Sequence, residues 1–176
     1  MNFNEQFHKL IKYNKNLSTI KDFYKKYKNN IDIHYDNNWA FRCACRYGNL
    51  KLCQWLYSLD TSQSFNIHFH SDWAFRNACR SGNLKLCKWL YSGYIPGSFD
   101  IHYNNDDSFM NCKNITNKFW ILSLDKPENF NNNNEFKIYY PVYLKYKQNK
   151  KETFVNLKKN RVFNRFTLGC LKKYLI

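Results

Sequence analysis

Apolar residues in the first two thirds of the chain recur with the spacing of short amphipathic helices. Within residues 39–47, side chains at i, i+1, i+4 and i+5 fall on one helical face: Ala40, Phe41, Ala44 and Cys45. A second stretch shortly afterwards has an apolar face made by Leu52, Cys53, Leu56 and Tyr57. The pattern therefore predicts two consecutive helices, each with one apolar side.

The residues between these stretches predict a tight turn. Gly48 stands where the first helix ends, and glycine takes up the left-handed conformation that closes a helix at little cost. Asn49 follows it, and an asparagine side chain in this place caps the first amides of the next helix. A helical hairpin this short cannot bury its apolar face alone, so it must stack on similar neighbours.

The same unit occurs twice. Both copies contain Trp-Ala-Phe-Arg, Ala-Cys-Arg, Gly-Asn-Leu-Lys-Leu-Cys and Trp-Leu-Tyr-Ser in that order. The spacing is 34 residues for each landmark pair, namely His34 and His68, Gly48 and Gly82, and Trp55 and Trp89. Constant spacing over so many identities indicates a repeat protein.

Weaker copies flank the two clear ones. A third begins in register, with His102 and Phe109 at the 34-residue spacing, but Trp120 follows Trp89 by only 31, which indicates a three-residue deletion. Thr116 is expected near the place of the lost turn glycine. Upstream, residues 16–24 echo residues 49–57 at an offset of 33 and are interpreted as an atypical first unit.

The repeat resembles the ankyrin family, whose period is about 33. Trp39-Ala40-Phe41-Arg42 stands in the place of the family's Thr-Pro-Leu-His motif, Ala44-Cys45 at its Ala-Ala pair, Gly48-Asn49 at its Gly-His and Leu56-Tyr57 at its Leu-Leu. The second copy matches likewise. Because Thr and Pro are missing, the start of the first helix is expected to be built differently from the family's.

The resemblance implies an all-α fold, a short ankyrin-like solenoid of stacked helix–turn–helix repeats. The residue spacing beyond the repeats adds the expectation of a basic, helical C-terminal segment. The expected organisation is a degenerate capping unit at 1–30 and repeats over 31–126, with clear copies at 31–64 and 65–98 and a degraded copy at 99–126. An Asn-rich linker is expected at 127–140 and the basic segment at 141–176, where Phe163, Phe166, Cys170, Leu171 and Tyr174 have helical spacing.

The family's partner-binding surface is formed by the inter-repeat turns and the first helices. Carried over by position, the resemblance implies a surface made of Tyr35, Asp36, Asn38, Cys43, Arg46 and Tyr47 in the first clear copy, and Phe69, His70, Asp72, Asn77, Arg80 and Ser81 in the second. The variant motifs look most like the ankyrin-type paralogues of large DNA viruses that infect amoebae. An adaptor acting on a host protein, inside the host cytoplasm, is therefore expected.

The net charge of +15 lies mostly outside the repeats. Residues 137–176 hold eleven basic residues and one acid, Glu152, while residues 31–100 contribute only +2. A solvated, lysine-rich surface is the preferred explanation, because only 6 of the 28 cations are arginine, the side chain better suited to phosphates and bases. Contact of this segment with nucleic acid, an acidic protein or a membrane surface stays open.

Metal and catalytic hypotheses find little support in the sequence. The seven cysteines include no CxxC pair and fit reduced thiols in a cytosol-like compartment. His34, His68 and His102 recur at the repeat period and are expected to hydrogen-bond in turns, although His68 and His70 could pair on a metal. No nucleotide-binding or hydrolase motif is present, so no cofactor and no enzymatic activity are expected. Neither a signal peptide nor a membrane span is expected.

Three functional hypotheses follow from the sequence. The preferred one is a monomeric protein-interaction module that binds a protein partner on the repeat surface. The second is a binder of nucleic acid or an acidic surface through the basic C-terminal segment. The third is a decayed paralogue without a specific role, which would fit the deletion in the third copy.

Overall fold

The computed structural model describes residues 2–13, 15–60, 65–94, 99–130 and 134–159, and in these ranges the protein is all-α. They form nine α-helices and no strand: α1 (Phe3–Lys12), α2 (Leu17–Tyr27), α3 (Tyr35–Arg46), α4 (Leu50–Leu59), α5 (Phe69–Ser81), α6 (Leu84–Trp89), α7 (Tyr103–Met110), α8 (Ile115–Leu122) and α9 (Asn134–Lys159). Short 3-10 turns occupy Lys28–Asn30 and Pro127–Asn129, and a π turn, Leu90–Tyr94, continues α6. The predicted all-α class is confirmed.

The chain divides into two compact units, Met1–Asn131 and Asn132–Ile176. In the first unit the helices come in pairs, and the first helices of successive pairs pack on one another in the order α1, α3, α5, α7. The predicted apolar faces are buried there: Ala40, Phe41, Ala44 and Cys45 on α3, and Leu52, Cys53 and Leu56 on α4. Tyr57 is half-buried, and its ring packs edge-on against Trp89 of the next pair.

Edge-on aromatic pairs recur between neighbouring second helices. Tyr24 meets Trp55 at a centroid distance of 5.5 Å, and Tyr57 meets Trp89 at 5.9 Å, both with nearly perpendicular rings. Tyr91 meets Trp120 in the same way at 5.6 Å. This T-shaped geometry is the one that aromatic quadrupoles favour. The repeated Trp-Leu-Tyr-Ser motif thus supplies an interlocking contact at each interface.

Asparagine begins every second helix of the first unit. The side chains of Asn16, Asn49, Asn83 and Asn114 each accept a hydrogen bond, of 2.8 to 3.2 Å, from an amide two or three residues further on. Each satisfies one of the amides that have no partner inside the helix. The caps predicted at Asn49 and Asn83 are confirmed. The helix pairs before and after the two clear copies have the same cap, at Asn16 and Asn114.

The turn of the third pair differs from the prediction. Gly48 and Gly82 are left-handed, with φ of 67° and 83°, as expected of glycines that end a helix. Because Asn114 caps α8, the three-residue deletion lies before that cap, between Phe109 and Asn114. Thr116 therefore belongs to α8 and does not stand at the turn. The placement of Thr116 was wrong.

The second unit contains α9, which begins earlier than the sequence predicted. Residues 134–140 were assigned to the linker 127–140 but form the first turns of α9, and residues 127–129 form a 3-10 turn. Pro141 lies inside α9. The amphipathic helix predicted around Phe163 to Tyr174 lies outside the described residues. Among the helices that are described, none is both long and apolar enough to cross a membrane.

Candidate functional site

Each of the first helices α3, α5 and α7 begins with an unusual left-handed turn. Three consecutive residues have φ between 50° and 62° in each copy, at positions 36–38, 70–72 and 104–106. None of the nine is glycine, and only short polar side chains such as Asn and Asp visit this conformation readily. The start of each of these helices is therefore built from three left-handed residues.

A histidine holds each left-handed turn from one side. Nδ1 of His34 lies 2.7 Å from Oδ1 of Asn38, and Nδ1 of His102 lies 2.7 Å from Oδ1 of Asp106. His68 makes the corresponding contact with Asp72 at 2.5 Å. The prediction that the periodic histidines hydrogen-bond within turns is confirmed, and His68 is committed to Asp72.

An arginine holds the first two turns from the other side. Arg42 donates from Nε to the Asn37 carbonyl and from Nη2 to the Asp36 carbonyl, both at 2.9 Å. Arg76 does the same to Ser71 and His70 at 3.0 Å. The guanidinium groups thus donate charge-assisted hydrogen bonds to the backbone carbonyl groups of the left-handed turns.

Each of these arginines also covers an aromatic ring of the next copy. The Arg42 guanidinium lies 4.9 Å from the Phe69 ring centroid and 5.3 Å from that of Trp73. Arg76 lies 5.0 Å from the ring of Tyr103. These are cation–π distances. On α1, His8 occupies the position 34 residues before Arg42. Its ring stacks on Trp39 at a centroid distance of 4.3 Å and lies 5.4 Å from the ring of Tyr35.

Two columns of basic residues result from the 34-residue period. One contains His8, Arg42 and Arg76, and the other contains Lys12, Arg46 and Arg80, four residues further along the same helices. Residues four apart share one side of a helix. We define the cation–aromatic face as these six residues, the aromatic column of Tyr35, Phe69 and Tyr103, and Tyr47, the exposed tyrosine that directly follows Arg46. All four arginines within the described residues belong to it.

The basic columns end on a buried carboxylate. Asp107 replaces the tryptophan that stands at Trp39 and Trp73 in the clear copies, and it is 6% exposed. Nη1 of Arg76 donates to its Oδ2 at 2.9 Å, and Nη2 of Arg80 lies 3.5 Å from its Oδ1. Asn111 also donates to the same carboxylate. The interface between the second and third copies therefore carries its own anion.

Four of the twelve residues assigned to a partner-binding surface are buried, which corrects that assignment. They are Asn38, Cys43, Asp72 and Asn77, each 4 to 6% exposed. Tyr35, Asp36, Arg46, Tyr47, His70 and Arg80 are exposed, and Phe69 and Ser81 are half-buried. These four side chains are turned inwards by the left-handed turns and by the packing of the first helices.

The buried four have structural contacts. Asn38 and Asp72 pair with the turn histidines, and the second oxygen of Asp72 accepts the Asp100 amide of the next copy at 2.8 Å. Asn77 donates to the Trp73 carbonyl at 2.9 Å. Burial raises the pKa of the Cys43 thiol to about 11. These side chains stabilise the turns and the helix packing.

Sequence reasoning missed several residues of the cation–aromatic face and two residues that its arginines contact, Trp73 and Asp107. Arg42, Trp73, Arg76 and Asp107 were assigned to a motif position or to a decayed copy, and His8 and Lys12 to a capping unit. The signal was available, because 8, 42 and 76 and also 12, 46 and 80 are 34 apart. A count of charges per segment does not show that these basic residues recur every 34 positions, whereas an alignment of the repeat copies does.

The described cysteines are free and buried. Burial raises the pKa of Cys112 to about 12 and holds the pKa values of Cys45 and Cys79 well above the ordinary thiol range. A protonated thiol is a poor nucleophile and a poor metal ligand. Within the described residues, no group of three or more His, Cys, Asp or Glu side chains could hold a metal ion.

Comparison with protein-family models, with curated proteins and with solved structures finds no match for this chain. The class that the fold defines is an all-helical protein with paired, repeated helices.

Proposed function

We propose that this chain is an ankyrin-like repeat protein whose cation–aromatic face binds a protein partner. The 34-residue period, the helix pairs and the asparagine caps support the ankyrin-like interpretation. The left-handed turn is the main departure from the family pattern. An adaptor role of viral origin, directed at a host protein, rests on the motif resemblance alone.

One observation carries the proposal: exposed tyrosines lie beside two columns of periodic basic residues, of which Arg46 and Arg80 are exposed. Tyr35 is 38% exposed, Tyr47 44% and Tyr103 39%. Tyrosine and arginine are the residue types that dominate protein interfaces energetically. Fixed on rigid helices and braced turns, they lose little conformational entropy on binding. The proposed role is binding without chemistry, and the raised pKa values of the buried Cys43 and Cys112 thiols support it.

The test is capture of a partner by matched variants of the full chain. Wild type, Tyr47→Ala and Tyr146→Ala are each immobilised and exposed to an amoebal lysate, and bound proteins are identified by quantitative mass spectrometry. Tyr146 of α9 is 37% exposed, so its replacement removes a similar side chain from the second unit. We expect a protein that wild type and Tyr146→Ala retain and Tyr47→Ala loses by about tenfold, as for an interface hot spot.

The basic segment supplies a competing hypothesis, because Lys145, Lys147 and Lys151 are exposed on α9. A variant with all three replaced by glutamine separates the two. If that variant loses the captured partner, if binding falls steeply with salt and if Tyr47→Ala binds normally, the basic segment is the binding site and the proposal fails.

A further inference from the structure

We propose that Arg42 and Arg46 bind a carboxylate of the partner, so that the partner presents an acidic peptide segment. This inference rests on the proposed function, since it names the chemistry recognised by the same face. Two interfaces of the molecule carry the same arginine pair, and only one of them has an acid at the register position of Asp107.

The interface between the second and third copies shows what a pair of arginines binds in this fold. Arg76 and Arg80, four residues apart on α5, enclose the Asp107 carboxylate at 2.9 Å and 3.5 Å. Arginine forks match carboxylates closely and form strong, charge-assisted hydrogen bonds. The acid comes from the next helix of the same chain.

The interface between the first and second copies has the same arginines and lacks the acid. Arg42 and Arg46 stand one period before Arg76 and Arg80, but position 73, which corresponds to Asp107, is tryptophan. Arg42 makes the same turn contacts through Nε and Nη2. Among the described residues its Nη1 has no acceptor, although the matching Nη1 of Arg76 donates to Asp107.

The surroundings of this arginine pair are electropositive. Arg46 and Lys12 are exposed, and within the described residues neither they nor Arg42 form an ion pair with a carboxylate. Arg46, Lys12 and Arg42 each act to lower the pKa of the nearby Cys43 thiol, against the larger effect of burial. Asp36 offers Arg42 its backbone carbonyl, and its carboxylate is exposed to solvent beside the pair.

A protein carboxylate fits this site better than nucleic acid. Single strands bind by stacking bases on free aromatic faces and by several phosphate contacts in a row. Here the Arg42 guanidinium already covers Phe69 and Trp73. The second basic pair, Arg76 and Arg80, is already neutralised by Asp107. One isolated open pair, beside apolar ring edges, suits a single acidic side chain within a peptide.

The experiment selects peptides on the intact chain. A displayed library of random twelve-residue peptides is enriched on immobilised full-length protein, and the affinity of the leading peptide is measured by fluorescence anisotropy. We expect Asp or Glu at one fixed position, and about fivefold weaker binding to Arg46→Gln, the upper end for an exposed ion pair. Lys51→Gln, which removes an exposed cation from α4, is the matched control and should bind normally.

Changing the acid of the peptide to its amide completes the test. The amide peptide should bind wild type about fivefold more weakly than the acid peptide, and this difference should shrink in Arg46→Gln, where only Arg42 is left to bind the acid, because the two changes affect a shared interaction. Selected peptides without an acid preference, yet sensitive to Tyr47→Ala, would overturn this inference and leave the proposed face intact. If no peptide is enriched, both proposals fail.

Two further measurements complete the design. The first measures binding of a twelve-nucleotide single-stranded DNA to wild type and to Arg46→Gln. If the DNA binds in an Arg46-dependent way and no acidic peptide binds, the recognised group is phosphate and the inference is overturned. Asp107→Ala removes the acceptor oxygens between Arg76 and Arg80, so that a calorimetric titration should find two peptides per chain instead of one. A stoichiometry of one in a folded Asp107→Ala variant would contradict the comparison of the two interfaces.

Discussion

At the scale of single residues, His102 shows how the left-handed turn depends on protonation. Its Nδ1 contacts Asp106, which is fully buried, and its Nε2 lies 3.1 Å from Oδ2 of Asp125. Burial of the ring opposes its charge, but the hydrogen bonds and charges of the two carboxylates outweigh that effect and raise the pKa of His102 above 6.5. The charged imidazole thus ties the third turn to the segment that follows α8.

This arrangement predicts a pH-dependent stability. A histidine whose folded-state pKa is raised stabilises the fold fully below its unfolded pKa, near 6.5, and loses that contribution as pH rises through the folded-state pKa. The urea midpoint of wild type should therefore exceed that of His102→Gln by more at pH 5.5 than at pH 8.5. Equal differences at the two pH values would contradict the assigned pKa shift, and the same comparison with His70→Gln controls for an exposed histidine.

At the scale of elements, the turn between α3 and α4 is fitted closely to the turn of the next repeat. The Asn83 side chain donates to the Gly48 carbonyl at 2.7 Å, and a methyl group added at Gly48 would meet Oγ of Ser81 at 2.8 Å. At Gly82 the same addition would find its nearest neighbour, Asn114, at 3.6 Å. The two glycines share a left-handed backbone but differ in the space around them.

Alanine at the two glycines should therefore have different costs. Gly82→Ala pays only the left-handed strain, about 1 kcal/mol, whereas Gly48→Ala adds the collision with Ser81 and should lose about 2 kcal/mol of unfolding free energy. Ser81→Ala should rescue part of the loss at Gly48 and none at Gly82. Urea denaturation of the single and double variants measures this coupling, and additive effects of Gly48→Ala and Ser81→Ala would refute the contact.

The helices and caps could be predicted from sequence because their signals are local. Apolar spacing placed α3 to α6, and asparagine after a turn marked where second helices begin. The left-handed turns could not be predicted, since three consecutive positive φ angles are costly in isolation and persist through contacts with His34 and Arg42. The burial of Asp72 could not be predicted either, because it depends on tertiary contacts. One of its oxygens contacts His68, and the other accepts a hydrogen bond from the Asp100 amide of the next copy.

At the scale of the first unit, stability should depend on position in the stack. Helices α5 and α6 have neighbours on both sides, whereas α7 and α8 are preceded by a helix pair and followed by a short segment that brings Phe130 against Phe109. In stacked repeats, each unit is stabilised by its nearest neighbours. Phe75, which packs against Phe99, Tyr91 and Trp120, therefore contributes to more interfaces than Phe109.

Truncating the two buried phenylalanines tests this expectation. Phe75→Ala should cost about 4 kcal/mol and lower the main unfolding transition, while Phe109→Ala should cost less because the end pair can fray without the rest. Circular dichroism and tryptophan fluorescence should coincide for Phe75→Ala and separate for Phe109→Ala. Coincident transitions with equal losses in both variants would show that the stack unfolds as one body.

The Asp107 carboxylate has a consequence for growth of the repeat array. If residues 65–98 were duplicated, the arginines of the new copy would meet Asp107, and Arg76 and Arg80 would face a tryptophan instead. Each added copy would then expose one more unneutralised arginine pair, while the last interface stayed closed. Each duplication would add one binding site for an acidic segment. Gene duplication could therefore increase the avidity of the protein for a partner with several such segments.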